Sequence, residues 1–555
     1  MDFPQLLGAF YTDLASKADC QRAMNVYLSR IESGGGRGPY VMYKQFGQRA
    51  FKQVYATNGC RGMILAPSNI NLFTIHGDTF FDILEDGTVN SSLGGLVNDG
   101  LPVSLDYSSN TLFIVSSNIL YRINSGALTT PATPFIPSSV GVIAGIIVAT
   151  ELNTANFYFS LDDGATWAAL DQQTAEAFPN QLVNLLIDHQ ELWLFGNRRT
   201  QVFVVGDDPN APFDAIPSGV IEVGLQAKFG CARLDNTIFL YGSNKDGDHQ
   251  VVRMNGYTPM RVSTHAVENV FRGYGKNTDA IMASFQLNGH SCLRLSFPSA
   301  NNGLGATWHY DASLPPELAW TEAGWWNLKQ GYHERHRSPF YTAAFGFIIA
   351  GDHTNGWLYK LTPDDYTDFG YPLRWLRRTP HITKENKQVS YRRLEVLARV
   401  GNGLLSPLWL HTYDRDAATF AANLATQVAG GNVTAAEALV LQAIYDQTPY
   451  TPLNPYPTPD TMNTLGFRPW GAYTTLSNGT TLGGPPEIEM RYSNDGGENF
   501  TQYSARSSGL VGQFNKRLFW NRLGKGRDRV WEFAGGSPAP EAIVGAAFDA
   551  EVGAT

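Results

Sequence analysis

The chain has 555 residues, too many for one ordinary domain, and with 43% hydrophobic and 16% charged residues it is not a disordered tract. Its formal net charge of −9 argues against a protein that grips nucleic acid through excess Lys and Arg, although DNA can slide past an acidic wall. The 12 Trp, 25 Tyr, 31 Phe and 55 Gly suit many short strands joined by tight turns.

The N-terminus, MDFPQLLGAFYTDL, carries acids where a secretory signal needs positive charge. Residues 1–60 hold one mixed segment, Lys17–Glu32, and a Gly-rich turn before Pro39. The four cysteines, Cys20, Cys60, Cys231 and Cys292, form no CxxC pair and read as buried thiols of a protein made in a reducing cytosol. The most apolar run, Val140–Ala149, is too short to span a bilayer and reads as buried strand.

From residue 61 a loose repeat sets in: an apolar strand, a turn, and a second aromatic or aliphatic strand. Copies start at Asn71, Asn110, Gly141, Glu191 and Asn236, with weaker ones at Ser284 and Phe345. A period of roughly 40–50 residues is that of propeller blades, whose sheets cannot cover both faces alone and stack radially. The expected fold is therefore mainly all-β: a six- or seven-bladed β-propeller over 61–373.

A β-rich platform with a small helical insertion is expected around it. It comprises an N-terminal segment 1–60, strands in 374–404, and strands with a tail in 487–555. KQVSYRRLEVLARVG reads as a strand pair, and EIEMRYS, KRLFWNR and DRVWEFA as further strands. Between them, 405–486 reads as an insertion. Asp416 can cap a helix with Phe420, Leu424 and Val428 on one face, and Thr434 and Glu437 have capping-box spacing. Pro449 to Pro459 then exclude regular structure. The insertion reads as a passive surface excursion or a docking element.

The sharpest local motif is Ser160-x-Asp162-x-Gly164-x-Thr166-Trp167, the Asp-box spelling of propeller hairpins. In it Ser and Asp bond turn backbone, Gly takes a special conformation and Trp packs beneath. A degenerate copy is Ser493, Asp495 and Gly497 with Phe500. The motif marks a turn and carries no catalysis. It does invite an alternative, a sialidase-like glycosidase or glycan-binding propeller. That would need three arginines on one carboxylate; Arg122, Arg198 and Arg253 are available, and nothing ties them to one pocket.

His333, His336 and His353 lack zinc spacing, and GYHERHRSP reads as a loop. Asn244, Asp246 and Asp248 lack the Gly and Glu of a calcium loop. No metal, cofactor or catalytic residue is expected. Basic residues cluster at Arg374, Arg377 and Arg378, and again at Lys516, Arg517, Arg522, Lys525, Arg527 and Arg529. They read as solvated strand faces or as a basic interface, the second cluster (Lys516, Arg517, Arg522, Lys525) being the candidate surface.

Three segments resemble the packaged-DNA stabilisation, or tail hub (nozzle), family of short-tailed P22-like phages. They are Gln21-Arg22-Ala23-Met24-Asn25-Val26-Tyr27; Asn255-Gly256-Tyr257-Thr258-Pro259 with Arg261 to His265 and Glu268; and Tyr492–Gly497 with Arg522-Leu523-Gly524 and Arg527-Asp528-Arg529-Val530. The insertion and the segment Tyr43–Arg49, which lacks a Pro-Gly turn, depart from the family pattern. The resemblance implies a structural, non-enzymatic virion protein assembled in the host bacterial cytoplasm. It implies a homo-hexameric ring below the head-to-tail adaptor, docking tail fibres, spikes or a needle. Viral double-stranded DNA would traverse the lumen without specific binding, and no membrane insertion is implied. The N-terminal strand is expected to pair with the C-terminal β domain.

Overall fold

The computed structural model describes residues 3–33, 38–175, 181–327, 331–401 and 486–553, short of positions 69, 245–246, 248, 370, 386, 510–511 and 538. Of 402–485 it describes only Ala425, Ala429 and the strand pair Thr474–Thr475 and Thr481–Leu482. The helices expected in 405–486 and the Asp246–Asp248 turn therefore lie outside the described residues. Contacts divide the chain into two units: 51–316 with 335–360, and 1–50 with 317–334 and 361–555. Residues 317–334 and 361–373, inside the 61–373 span of the repeat, thus pack with the second set.

In the first of these units the repeat becomes a ring of antiparallel meanders. The innermost strands of seven blades are Cys60–Leu65, Ser104–Tyr107, Pro137–Ile143, Leu182–Asp188, Cys231–Leu234, Ile281–Leu287 and Phe340–Ala344. Each of the seven hairpins read from sequence falls in a different blade, so seven replaces the choice of six or seven.

The blades stack through their apolar faces, which removes from water the surface that no single sheet can cover. Ile75 and Phe80 of blade one pack on Leu112 and Tyr121 of blade two. Phe113 and Val115 meet Ile147 and Tyr158 of blade three. Phe157 meets Leu192 and Phe203 of blade four, whose Trp193 meets Ile238 and Val252 of blade five. Phe239 meets Tyr310 of blade six, and Phe285 meets Tyr341 of blade seven. Ile349 and Leu358 then close on Leu72 and Phe81 of blade one.

Blade seven takes its outer strand from Gly47–Tyr55, beside Gly356–Thr362. A Cβ on Gly356 would sit 2.1–2.5 Å from the backbone of Tyr55, so the closing strand approaches as nearly as a glycine allows.

In blades three to seven the first two strands turn over two residues that both have positive φ: Ala144-Gly145, His189-Gln190, Asp235-Asn236, Asn288-Gly289 and Phe345-Gly346. Such turns match the right-handed twist of the paired strands. One of them splits the Val140–Ala149 run, read as one strand, into two.

The other unit is built, among the described residues, around two large sheets. One runs in the order Trp320–Asn327, Cys20–Met24, Trp375–Arg378, Asp528–Gly535, Glu487–Ser493, Ser504–Ser507. The second runs Val26–Arg30, Tyr40–Lys44, Ala542–Val552, Val389–Ala398, Leu518–Asn521. The mixed N-terminal segment is thus two strands: Cys20–Met24 pairs with the C-terminal half of the chain, Arg22 opposite Arg378, while Val26–Arg30 pairs with Tyr40–Lys44, which in turn sets Met42 opposite Ile543. KQVSYRRLEVLARVG, read as a strand pair, is the single strand Val389–Ala398. GYHERHRSP, read as loop, contains the strand Tyr332–Arg335. No helix among the described residues is long and apolar enough to cross a membrane.

Candidate functional site: turns, ion clusters and a basic edge

The Ser160 turn follows the third strand of blade three. Ser160 Oγ donates to Asp162 Oδ1 at 2.6 Å, and Thr166 donates from its backbone N at 3.1 Å and from Oγ1 at 2.6 Å. Gly164 has φ +71° and donates its N–H to Ser160 Oγ, and Trp167 is buried beneath. Slight burial pushes the Asp162 carboxyl up, but the hydrogen bonds from Ser160, Thr166 and the Ala165 backbone outweigh it and bring it down to about 2.

The neighbouring Asp163 was not singled out by the sequence. It leaves the turn at φ +58° and accepts from Ser108 and Thr111 of blade two, while Arg122 bonds its backbone and carboxylate oxygens. A Cβ on Gly164 would lie 2.4 Å from Phe113 of blade two. The turn therefore clasps one blade to the next. Arg122 is committed to that clasp, Arg253 lies over the Phe239 ring in blade five, and Arg198 belongs to a turn of blade four. The three arginines thus occupy three different blades.

In the second segment of the resemblance, Asn255-Gly256-Tyr257 forms the turn into Thr258–Arg261 of blade five. Tyr257 Oη donates to Glu191, and its ring lies 5.8 Å from that of Trp193, both in blade four. Pro259 pairs with Met254 in the blade's outer ladder. A helix, His265–Gly273, follows, capped by Thr264, whose Oγ1 accepts from Val267 N. The Arg261 Nε and Nη2 atoms each donate at 2.7 Å to the buried Glu268 carboxylate, which also accepts from Ser263; Arg261 contacts His265 as well. The motif thus fixes the exit from blade five.

The remaining motif residues organise the two-sheet unit. Asn25, with φ +52°, is the point where the chain leaves one sheet for the other. Its amide bonds Gly324 in both directions and donates to Arg374 O. Arg22 forms a two-pronged pair with Glu322, and Tyr27 stacks on Tyr43. The degenerate turn repeats the first one's bonding: Ser493 donates to Asp495, and Gly497 N to Ser493 Oγ at 2.9 Å. Asn499 takes the place of Thr166, donating from its backbone and side chain to Asp495. Phe500 lies under Arg378 and Arg491.

Arg374, Arg377 and Arg378 do not form a basic surface. Arg374 pairs with Glu489 at 2.6 Å. Arg377 is fully buried and donates to the carbonyls of Leu6 and Ala9 and to Gln21. Arg378 and Arg491 converge on the buried Glu532, which also accepts from Tyr503. Arg529 is buried among the Tyr391, Tyr492 and Trp531 rings, bonded to Asn494 and Leu523 O. Asp528 holds His381. Carboxylates and carbonyls, several of them from distant segments, consume these cations, which no local sequence pattern shows.

Lys516, Arg522, Lys525 and Arg527 are exposed, and Arg517 pairs with Glu395 on the surface. They lie around Leu518–Asn521, at the end of the second sheet, with Phe514 67% exposed beside them. This strip combines cations, an aromatic side chain and a terminal strand, the ingredients of a protein contact.

A family model described as bacteriophage P22 Gp10, beta-propeller, matches residues 19–366. The chain belongs to this family. It is therefore a phage structural protein of the P22 Gp10 stabilisation type, and its match spans both the Asn25 switch and all seven blades. No curated protein sequence matches it. Among solved structures it is similar to YCF48 from Cyanidioschyzon merolae (11% identity, TM-score 0.36), covering 57% of this chain and 99% of that one. It is also similar to the extracellular domain of the hybrid two-component system BT4673 from B. thetaiotaomicron (9%, 0.39), covering 57% and 40% respectively.

Proposed function

We propose that this Gp10-family chain is the tail-hub subunit of a short-tailed phage. Six copies form a ring below the head-to-tail adaptor, prolong the DNA channel, retain the packaged genome and dock tail fibres, spikes or a needle. The observation that carries the reading is the family match over 19–366. Two physical features support it. A propeller closed by packing between all its neighbouring blades is a stiff block, as a pressurised conduit requires. The acidic chain, at −9 per copy, suits a wall that DNA passes without sticking.

The role is non-enzymatic, and the exposed strip around Lys516, Arg522 and Lys525 is the surface offered to the next subunit or to an acidic ring. Electron microscopy of the purified chain, alone and with its adaptor, tests the assembly. Sixfold tubes are expected; a monomer that never joins the adaptor would overturn the proposal. If the strip is the contact, assembly weakens steeply between low and high salt.

A further inference from the structure

Within the propeller, the loops that lead into the innermost strands leave a cavity of about 500 Å³. That volume is ordinary for a small-molecule site. Its charged lining is unbalanced: Arg61, Lys228, Lys276 and Arg335 face one carboxylate, Asp279. Asp279 Oδ2 already accepts from Ser299 N and Oγ, at 3.1 and 2.5 Å. Arg61 is a fixed wall charge, its guanidinium donating to Leu101 O, Gly77 O and Asp99.

Lys228 and Arg335 are differently placed. Lys228, leading into blade five, donates to Ser138 O of blade three at 2.5 Å, a bond that uses one of its three ammonium protons. Arg335 is laid over Gly305, where φ is +73° and a Cβ would come within 2.7–2.9 Å of its Cδ, Cγ and Cβ. Any other residue there would displace the arginine's stem. The cavity floor is equally close-packed, since a Cβ on Gly59 would overlap the His353 backbone at 2.0–2.9 Å. The site is preformed.

We propose that this cavity binds a compact oxyanion, a phosphate group, held by Lys228 and Arg335 with Lys276 at the mouth and Arg61 behind. Burial lowers Lys228 to about 8 and pulls Arg335 below the ordinary arginine value despite Asp279 and Asp352 nearby. Cations that pay for desolvation gain most from an anion bound in the cavity they line. The phosphate could be free or carried on a nucleic-acid end, and the chemistry recognised is the same.

Calorimetric titration of the full chain with inorganic phosphate, at constant ionic strength in chloride, tests this. One saturable site is expected, weakened at least tenfold in Lys228→Met and in Arg335→Leu, and less in the surface variant Lys276→Ala. Circular dichroism screens each variant for folding; Lys276→Ala, at an exposed position, serves if the two half-buried ones fail. A 5′-phosphorylated dinucleotide that displaces phosphate, where its unphosphorylated form does not, assigns the site to a nucleic-acid end. Failure to displace assigns it to the free anion. No saturable binding, or binding unchanged in all the variants that fold, overturns the proposal.

Discussion

The two units solve the same burial problem by opposite means. Each blade of the propeller comes almost wholly from one contiguous stretch of chain, and its interfaces are Phe, Leu, Ile and Tyr packed on their like. The two-sheet unit is sewn from segments hundreds of residues apart, with Cys20–Met24 beside Trp375–Arg378 and Tyr40–Lys44 beside Ala542–Val552. At its seams it buries ions: Arg377, Arg529 and Glu532 are each 0% exposed. Local packing tolerates loss piecemeal. A buried ion whose partner is removed does not, because the charge left behind cannot return to water.

The harshest way to break the contrast is to delete residues 1–40. This removes Cys20–Met24, Asn25 and Val26–Arg30 but keeps the Gly47–Tyr55 strand. Hydrogen exchange should show the two-sheet unit losing protection while blades one to six keep theirs, and ring assembly should disappear. Normal assembly by this truncation would refute the seam. Next, Glu532→Ala strands Arg378 and Arg491 and should cost about 3–5 kcal/mol in denaturant unfolding. An effect under about 1 kcal/mol would mean that these cations find water.

The clasp between blades two and three should be weaker. Gly164→Ala must hold a positive φ and push Phe113 aside, for about 1–3 kcal/mol. Asp163→Ala, which frees Arg122, should lie in the same range. Double-mutant coupling between Asp163 and Arg122 distinguishes the clasp from a general defect.

The finest test is the slope of stability against pH. Burial lowers His76, in blade one, to about 4. The unfolded state therefore takes up a proton below about pH 6.5 that the folded state refuses, and stability is lost as pH falls from there to about 4. In the two-sheet unit His381 moves the other way. Burial opposes its charge, but Ser16 O and Asp528 outweigh this and raise its value. Its contribution is full below about 6.5 and is lost as pH rises through the raised folded value. His76→Leu should flatten the acid limb of the melting-temperature profile and His381→Gln the limb above it, each by at most one proton's worth of slope.

The same contrast explains what the sequence disclosed. Blades were legible because each repeats a short strand pattern within a few tens of residues, and the Ser160 turn because its spelling is its geometry. The turns at His189-Gln190 and Phe345-Gly346 were not, since neither carries the Asn-Gly or Asp-Gly signal of its class. The helix His265–Gly273 passed unread although Thr264 caps it. Partners of Arg377, more than 350 residues away, and of Glu532, 29 to 154 residues away, were invisible because such pairing leaves no local trace. The lining of the propeller cavity, drawn from several separate loops, was hidden for the same reason.

The strand Gly47–Tyr55 is synthesised before any blade but belongs to the last. Roughly 300 residues separate it from Gly356–Thr362, so at about 5–20 residues per second it waits on the order of 15–60 s for its neighbour to leave the ribosome. During that interval the blades emerge one after another, and the ring cannot close until Gly356–Thr362 is made. Maturation of this protein is therefore a race between translation and mispairing, decided by a strand that is first to appear and last to lock.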